Sequence, residues 1–352
     1  LKELKNGKIS FKYRDDNWKN IIIVNYAENK MKKSGIKTPV LLIFFSRPDT
    51  FRLVFNEVKK ARPAKLFLAC DGPRDSVDND IHAIKECRNI AEDIDWECEV
   101  YKNYLDTNVG CGTMPYTSIK WALNYVDRLI ILEDDCVPNF SFFGFMEDAL
   151  EQYINDTRIG MVSGTNHFFE WNCGLNSYCF TKTGAIWGWG TWARVWEKYS
   201  FGVKGIESKY LKELLFKEIN LKQIAKKRIK KWENINKDVS KGKSITYWDY
   251  QFGYLKYTQS YLTIVPKYNL ITNIGIGEDS THAKNTLKMK WKLGEMFFIP
   301  TKEIEFPIRH PEAIICDRKY DEKYYKEIGN PNILYRIKRK ILKLLDTVLV
   351  NN

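Results

Sequence analysis

Between Pro39 and Leu132 short apolar runs alternate with amphipathic stretches. PVLLIFF, KLFLAC, WECEVYK and RLIIL read as four strands, the uninterrupted runs among them predicting burial on both faces. DTFRLVFNEVKKA, SVDNDIHAIKECRNIAED and TSIKWALNYV, which lie between them, read as helices. Repeated units of this length predict the α/β class, a parallel Rossmann-like sheet covered by helices on both faces. Past Gly160 the pattern loosens. A short strand GMVSG is followed by a Trp- and Gly-rich turn, GAIWGWGTWARVWEKY, and by a basic helical stretch from about Ile206 to Asn236. A helix in TYWDYQFGYLKYTQ, a strand YLTIV and a loop NIGIGEDSTHAKN complete it.

The strands matter because of the loops at their ends. In open α/β sheets ligands bind outside the carboxyl ends of the strands, and here SRPD comes after the first strand, DGPR after the second and EDD after the fourth. Loops are polar in any case, so the clusters are also compatible with surface turns. Residues 38–310 read as one unit with halves 38–165 and 166–310, since no Ser/Gly/Pro-rich linker divides them. Residues 1–37 form an N-terminal extension, either a hairpin capping the sheet edge or the remnant of an upstream domain, and 311–352 form a tail.

Of the 352 residues 44% are hydrophobic and 14% aromatic, ample for a large core. No apolar run approaches the roughly 20 residues of a spanning helix and no signal-peptide pattern opens the chain, so a cytoplasmic protein is expected. The eight cysteines form no C-x-x-C pair and have no histidine at a zinc spacing, which predicts reduced, packed thiols. Net charge is +12 and the pI about 9.1, which suggests an anionic partner. Much of that charge lies in KQIAKKRIKKW and YRIKRKILKLL, away from the strands. This placement weighs against a nucleic-acid binder or nuclease.

Glu133, Asp134 and Asp135 repel one another at the edge of a core. In an extended chain Glu133 and Asp135 would face one side and Asp134 the other, so the tripeptide could serve two ligand groups. A hard cation such as Mg²⁺ or Mn²⁺ takes carboxylate oxygens and shares substrate phosphates, and its charge would cancel the repulsion. A helix N-cap with solvated acids is the alternative. Arg47 offers a fork for phosphate or carbonyl oxygens, or a partner for Asp49. Asp71 begins a D-G-P turn. Gly110 and Gly112 allow backbone to approach an anion before a helix start, or form a plain turn. Asp249, beside aromatic residues, has the surroundings of a general base or of a helix cap. Trp187 and Trp189 could stack on sugar rings or pack in the core, and Trp192 and Trp196, at helical spacing, read as core.

The ordered set PVLLIFFSRPDTF, LACDGPR, NVGCG, LIILEDDCVPNFSFFGFM, WGWGTWARVWEKY, YWDYQF and NIGIGEDSTHA resembles bacterial glycosyltransferases of the GT-A type. These are similar to eukaryotic N-acetylglucosaminyltransferase I and its relatives. The likeness runs from about Pro39 to His282. It implies a metal-assisted, inverting transfer from a nucleotide-diphosphate sugar, with a UDP-sugar as the expected donor, to a glycan or lipid-linked acceptor in cell-surface polysaccharide synthesis. By the same likeness Asp135 would ligate Mn²⁺ or Mg²⁺, Asp134 would contact the ribose and Glu133 the donor sugar. Arg47 and Asp71 would hold the base and diphosphate side, and Asp249 would be the base. His282 would lie in a loop that closes over the donor, touching diphosphate or metal, with Glu278 and Asp279 as further carboxylates near the sugar. The relatives carry a base-contacting histidine near NVGCGTMPYTSIKW that has no counterpart here, which leaves the base open. A non-catalytic glycan- or nucleotide-binding module would share the fold.

In the tail, Leu334, Ile337, Ile341, Leu345 and Val348 recur at helical spacing beside Arg336, Arg339, Lys340 and Lys343. A basic amphipathic helix over 332–350 could lie on the inner face of an anionic membrane or pack on protein.

Overall fold

The computed structural model describes residues 35–75, 77–219, 221–276 and 296–329. The extension before residue 35, the segment with Glu278, Asp279 and His282, and the predicted tail helix over 332–350 lie outside the described residues.

The four predicted strands form as β1 (Val40–Phe44), β2 (Lys65–Cys70), β3 (Glu99–Tyr104) and β4 (Arg128–Glu133). β1 lies between β2 and β4, parallel to both, and is buried along its whole length. β3 pairs only with β2, at the sheet edge, and its side chains stay half-exposed. The connecting helices are α1 (Pro48–Ala61), α2 (Asp78–Ala91) and α3 (Met114–Ala122). Pro48 sits in the first turn of α1, where its missing N–H costs no helix bond, and Phe51, Val54, Phe55 and Val58 form the buried face.

The chain continues through β5 (Cys136–Pro138), α4 (Phe140–Gln152), β6 (Ile159–Ser163), β7 (Tyr178–Thr181), β8 (Trp189–Trp192) and α5 (Ala193–Trp196). Then come α6 (Lys209–Ile219), α7 (Lys222–Ser240), α8 (Asp249–Thr258), β9 (Leu262–Pro266), β10 (Ile271–Asn273), α9 (Arg318–Tyr324) and a π-helical turn at Tyr325–Gly329. One eight-stranded sheet runs β3-β2-β1-β4-β8-β6-β9-β7, and β5 and β10 pair as a separate ribbon. The protein is thus an α/β fold with a Rossmann-like central sheet flanked by helices.

Two expectations change. The sheet is mixed, because β8 runs antiparallel to both β4 and β6. The Trp- and Gly-rich segment read as a turn supplies that strand. Its glycines suggested a loop, yet Trp189, Thr191 and Trp192 are fully or almost fully buried and provide the aromatic and branched surface that a central strand packs with. The basic stretch divides into α6 and α7, whose inward faces join α8 in a second apolar cluster around Trp232, Ile235 and Tyr257. Among the described residues no helix is long and apolar enough to cross a membrane.

Candidate active site

The order β3-β2-β1-β4 reverses direction between β1 and β4. At such a switch point the connections leave to opposite faces and a crevice opens at the carboxyl ends. The register places Ile43 opposite Glu133, so the loop after β1 and the acids after β4 share that crevice. Arg47 reaches across it. Its Nη2 donates to Asp134 Oδ1 and its Nη1 lies 3.0 Å from Asp135 Oδ2, while Phe45 N donates to Asp134 Oδ2 at 3.2 Å. Arg47 therefore pairs with both aspartates and not with Asp49.

Both aspartates can meet one guanidinium because β4 ends at Glu133 and the chain turns at Asp134 and Asp135. The strand alternation expected for the tripeptide stops one residue early. Burial opposes the Arg47 charge, but Asp134 and Asp135 outweigh it and hold the guanidinium protonated above its usual range. Glu133 is pushed up to about 8, first by burial and then by Asp135 and Asp134, with Arg47 pulling it back. Even with Glu133 protonated near neutral pH, two aspartates face a single guanidinium.

Asp135 is steadied from the β5–β10 ribbon. Asn273 pairs with Cys136 across it, Ile274 N donates to the Asp135 backbone carbonyl at 2.9 Å, and Asn273 Nδ2 lies 3.4 Å from Asp135 Oδ1. A Cβ on Gly275 would stand 2.0 Å from Asp135 Oδ2. Asn273 and Gly275 were not singled out in the sequence, because their role depends on a two-strand pairing between distant segments.

Asp71 is tied into the neighbouring loop. Its Oδ1 accepts from Gly72 N and Val109 N, both at 2.9 Å, and its Oδ2 accepts from Gly110 N at 3.0 Å and Asn108 Nδ2 at 3.1 Å. With each oxygen accepting twice, the carboxylate is saturated. Asp71 thereby holds the 108–110 loop in place. Burial raises its pKa and the three backbone N–H groups oppose that rise. Gly110 takes a positive φ of 82° with nothing near its missing Cβ, while its N–H is held by Asp71 and its carbonyl accepts from Thr113 N and Met114 N.

Gly112 is confined. A Cβ there would stand 1.8 Å from Ile245 O, and Cys111 Sγ donates to Thr246 O at 3.2 Å. The loop fixed by Asp71 thus abuts residues 245–247, the segment that leads into α8. Asp249 is the first residue of α8, after Trp248 as N-cap. Trp248, just before Asp249, stacks on Trp189, whose strand pairs with β4 at Ile131, so the start of α8 packs beside the strand that carries the acids, and the Asp249 charge contributes to raising the pKa of Glu133, of half-buried Tyr199 and of Tyr324. Cys111, half-buried, senses Glu133 and Asp71 from the same loop.

The two tryptophans assigned to the acceptor separate. Trp189 is fully buried, its ring stacked on Trp248 at 5.6 Å, so it cannot form an open platform. Its ring backs Trp248, the residue at the N-cap position of the helix bearing Asp249. Trp187 stays half-buried, 4.9 Å from Phe297 and 5.7 Å from His167 between ring centroids, and keeps an accessible face. His282 lies outside the described residues.

A divalent ion can be judged only by its donors. Among the described residues no three His, Cys, Asp or Glu side chains close around one ion position. Mg²⁺ and Mn²⁺ do not need three, because they bind through one or two carboxylates and complete their shells with water and phosphate. The partly exposed Asp135 carboxylate, beside two more acids and an arginine that partly neutralises them, fits that mode.

No protein-family model matches the chain and no curated protein matches it. Among solved structures, a UDP-glucose pyrophosphorylase complexed with UDP-glucose aligns at 12% identity over 48% of this chain and 82% of that one, with a TM-score of 0.29. A 4-diphosphocytidyl-2C-methyl-D-erythritol synthase from Anaerococcus prevotii aligns at 11% identity over 46% and 76%, with a TM-score of 0.27. HddC from Yersinia pseudotuberculosis aligns at 14% identity over 46% and 80%, with a TM-score of 0.25.

Proposed function

We propose that this chain is a metal-dependent, inverting glycosyltransferase that moves a sugar from a nucleotide-diphosphate donor, a UDP-sugar, to a glycan or lipid-linked acceptor. The observation that carries the reading is the cluster of Arg47 with Asp134 and Asp135 at the switch-point crevice, with the start of α8, where Asp249 lies, packed through Trp248 on Trp189 of the strand next to β4. Asp135 would hold Mn²⁺ or Mg²⁺, which when bound would neutralise the diphosphate as it departs. Arg47, released from Asp135 by that ion, would turn its fork to phosphate or base oxygens. Asp134, buried and fixed by Phe45 N, would orient the ribose, and Glu133 would face the donor sugar.

Inversion needs a base on the acceptor hydroxyl, opposite the leaving group. Asp249 suits this, since its helix begins just after the segment that abuts the 108–110 loop and its charge is felt by Glu133. Trp187 would present an aromatic face to the acceptor sugar. The tail helix over 332–350 would bring the protein to an anionic membrane surface.

Incubation with a panel of sugar nucleotides and Mn²⁺ tests the reading. Donor hydrolysis or transfer is expected with at least one donor and should fall at least 100-fold in Asp135→Ala, on the scale of losing a group that stabilises the departing charge. Absence of turnover with every donor, or undiminished turnover in the variant, would overturn it.

A further inference from the structure

Arg228 lies on the inward face of α7, in line with Ile224, Trp232 and Ile235, where an apolar side chain would be ordinary. Its guanidinium stands 5.5 Å from the Tyr257 ring and 5.4 Å from the Tyr325 ring, and those two hydroxyls hydrogen-bond to each other. Tyr324 packs edge-on against Tyr325 at 5.7 Å, and the charges of Tyr324 and Tyr250 also act on the guanidinium. Among the described residues no carboxylate pairs with Arg228 and no hydrogen bond reaches its N–H donors. Arg228 is half-buried; cation–π contacts offset part of the cost of its partial desolvation and leave its fork of donors facing solvent, open to a ligand.

The fork has a defined place relative to the candidate base. A Cβ on Gly253 would stand 3.6 Å from Arg228 Nη1, so the guanidinium lies against α8 at that residue. Asp249 is four residues earlier on the same helix face, about 6 Å along the axis at ~1.5 Å per residue. Tyr324 feels both Asp249 and Arg228, and its ring stands 5.4 Å from His167, which in turn meets Trp187. An aromatic wall therefore runs from Trp187 through His167 and Tyr324 to Arg228, with Asp249 beside it.

We infer that Arg228 is an acceptor-binding residue, and that the acceptor carries an anionic group, phosphate or carboxylate, about one helical turn from the hydroxyl that Asp249 deprotonates. This rests on the reading of Asp249 as the acceptor-side base. A planar anion would engage the guanidinium fork in paired hydrogen bonds, and the tyrosines would exclude water around it. A neutral acceptor would leave the fork unsatisfied, so the site would favour anionic acceptors over neutral ones of the same shape.

The full chain is first titrated with UDP and Mn²⁺, which tests the functional reading separately, and then, with the donor site filled, with methyl glucoside, glucose 6-phosphate and methyl glucuronide. Glucose 6-phosphate or methyl glucuronide should bind at least tenfold tighter than methyl glucoside, and the tighter of the two identifies the anion. Arg228→Gln should abolish that preference, and Arg228→Lys, which keeps the charge but not the fork, should retain only part of it. If Arg228→Gln does not fold, Arg228→Met, whose stem still packs on the rings, reads the same quantity. Equal affinities in the wild type, or a preference undiminished in the glutamine or methionine variant, would overturn the inference. If UDP and Mn²⁺ do not bind, the functional reading fails, while the same titrations without them still test the anion site.

Discussion

Lys256 is a fully enclosed amine whose ammonium donates to Thr263 Oγ1 at 2.6 Å and Thr183 O at 2.9 Å. Burial lowers its pKa to about 7, Asp321 opposing and Arg228 and Lys182 reinforcing the shift. Between pH 7 and its ordinary 10.5 the unfolded chain binds a proton that the folded chain lacks, so stability rises with pH across this window. The slope is up to about 1.4 kcal/mol per pH unit, and below the window the full cost is present. Lys256→Met should remove that slope. In urea unfolding at pH 7 and pH 9.5 the wild type should gain more stability with pH than the variant, whereas parallel gains would contradict the assignment. At this scale the sequence was readable for side chains whose chemistry is local. Arg47 and the acids could be named because each comes directly after a strand. Saturated Asp71 and buried Trp189 could not be assigned, since nothing in D-G-P or G-W-G tells which neighbours a carboxylate or an indole will meet.

Elements carry the link between the two sides of the crevice. Asp71 fixes the 108–110 loop, Gly112 lets that loop rest on residues 245–247, and this segment delivers Asp249 at the start of α8. A methyl group at Gly112 meets backbone, which cannot rotate away, so residues 245–247 must shift. Gly112→Ala should therefore lower sugar-nucleotide turnover about 100-fold, the scale expected for a base displaced by ~1 Å, while the fold persists. Circular dichroism would check the fold, and a wild-type rate in the folded variant would break the proposed chain of contacts. The regular βα units of the first half were legible because buried strands and amphipathic helices have distinct periods. β5, β7 and β10 were not, being three or four residues long and defined by their partners. β8 was hidden by its glycines.

For the whole molecule, strands from both halves of the chain build one sheet, and the crevice at its β1–β4 switch point gathers residues from the loops after β1 and β4 and from the start of α8. The α/β architecture and the position of the crevice derive from strand order, which repeated βα units restrict to few choices. The antiparallel insertion of β8 had no such local signal. The excess of acid over base in the crevice underlies the central proposal, that this crevice takes a cation and the phosphates that come with it. Isothermal titration of UDP into the full chain, with and without Mn²⁺, tests that claim most directly. Binding should require Mn²⁺, with affinity at least tenfold weaker in its absence, and Asp135→Ala should erase the difference. UDP binding of equal strength with and without the metal, or a metal effect that survives Asp135→Ala, would contradict the account.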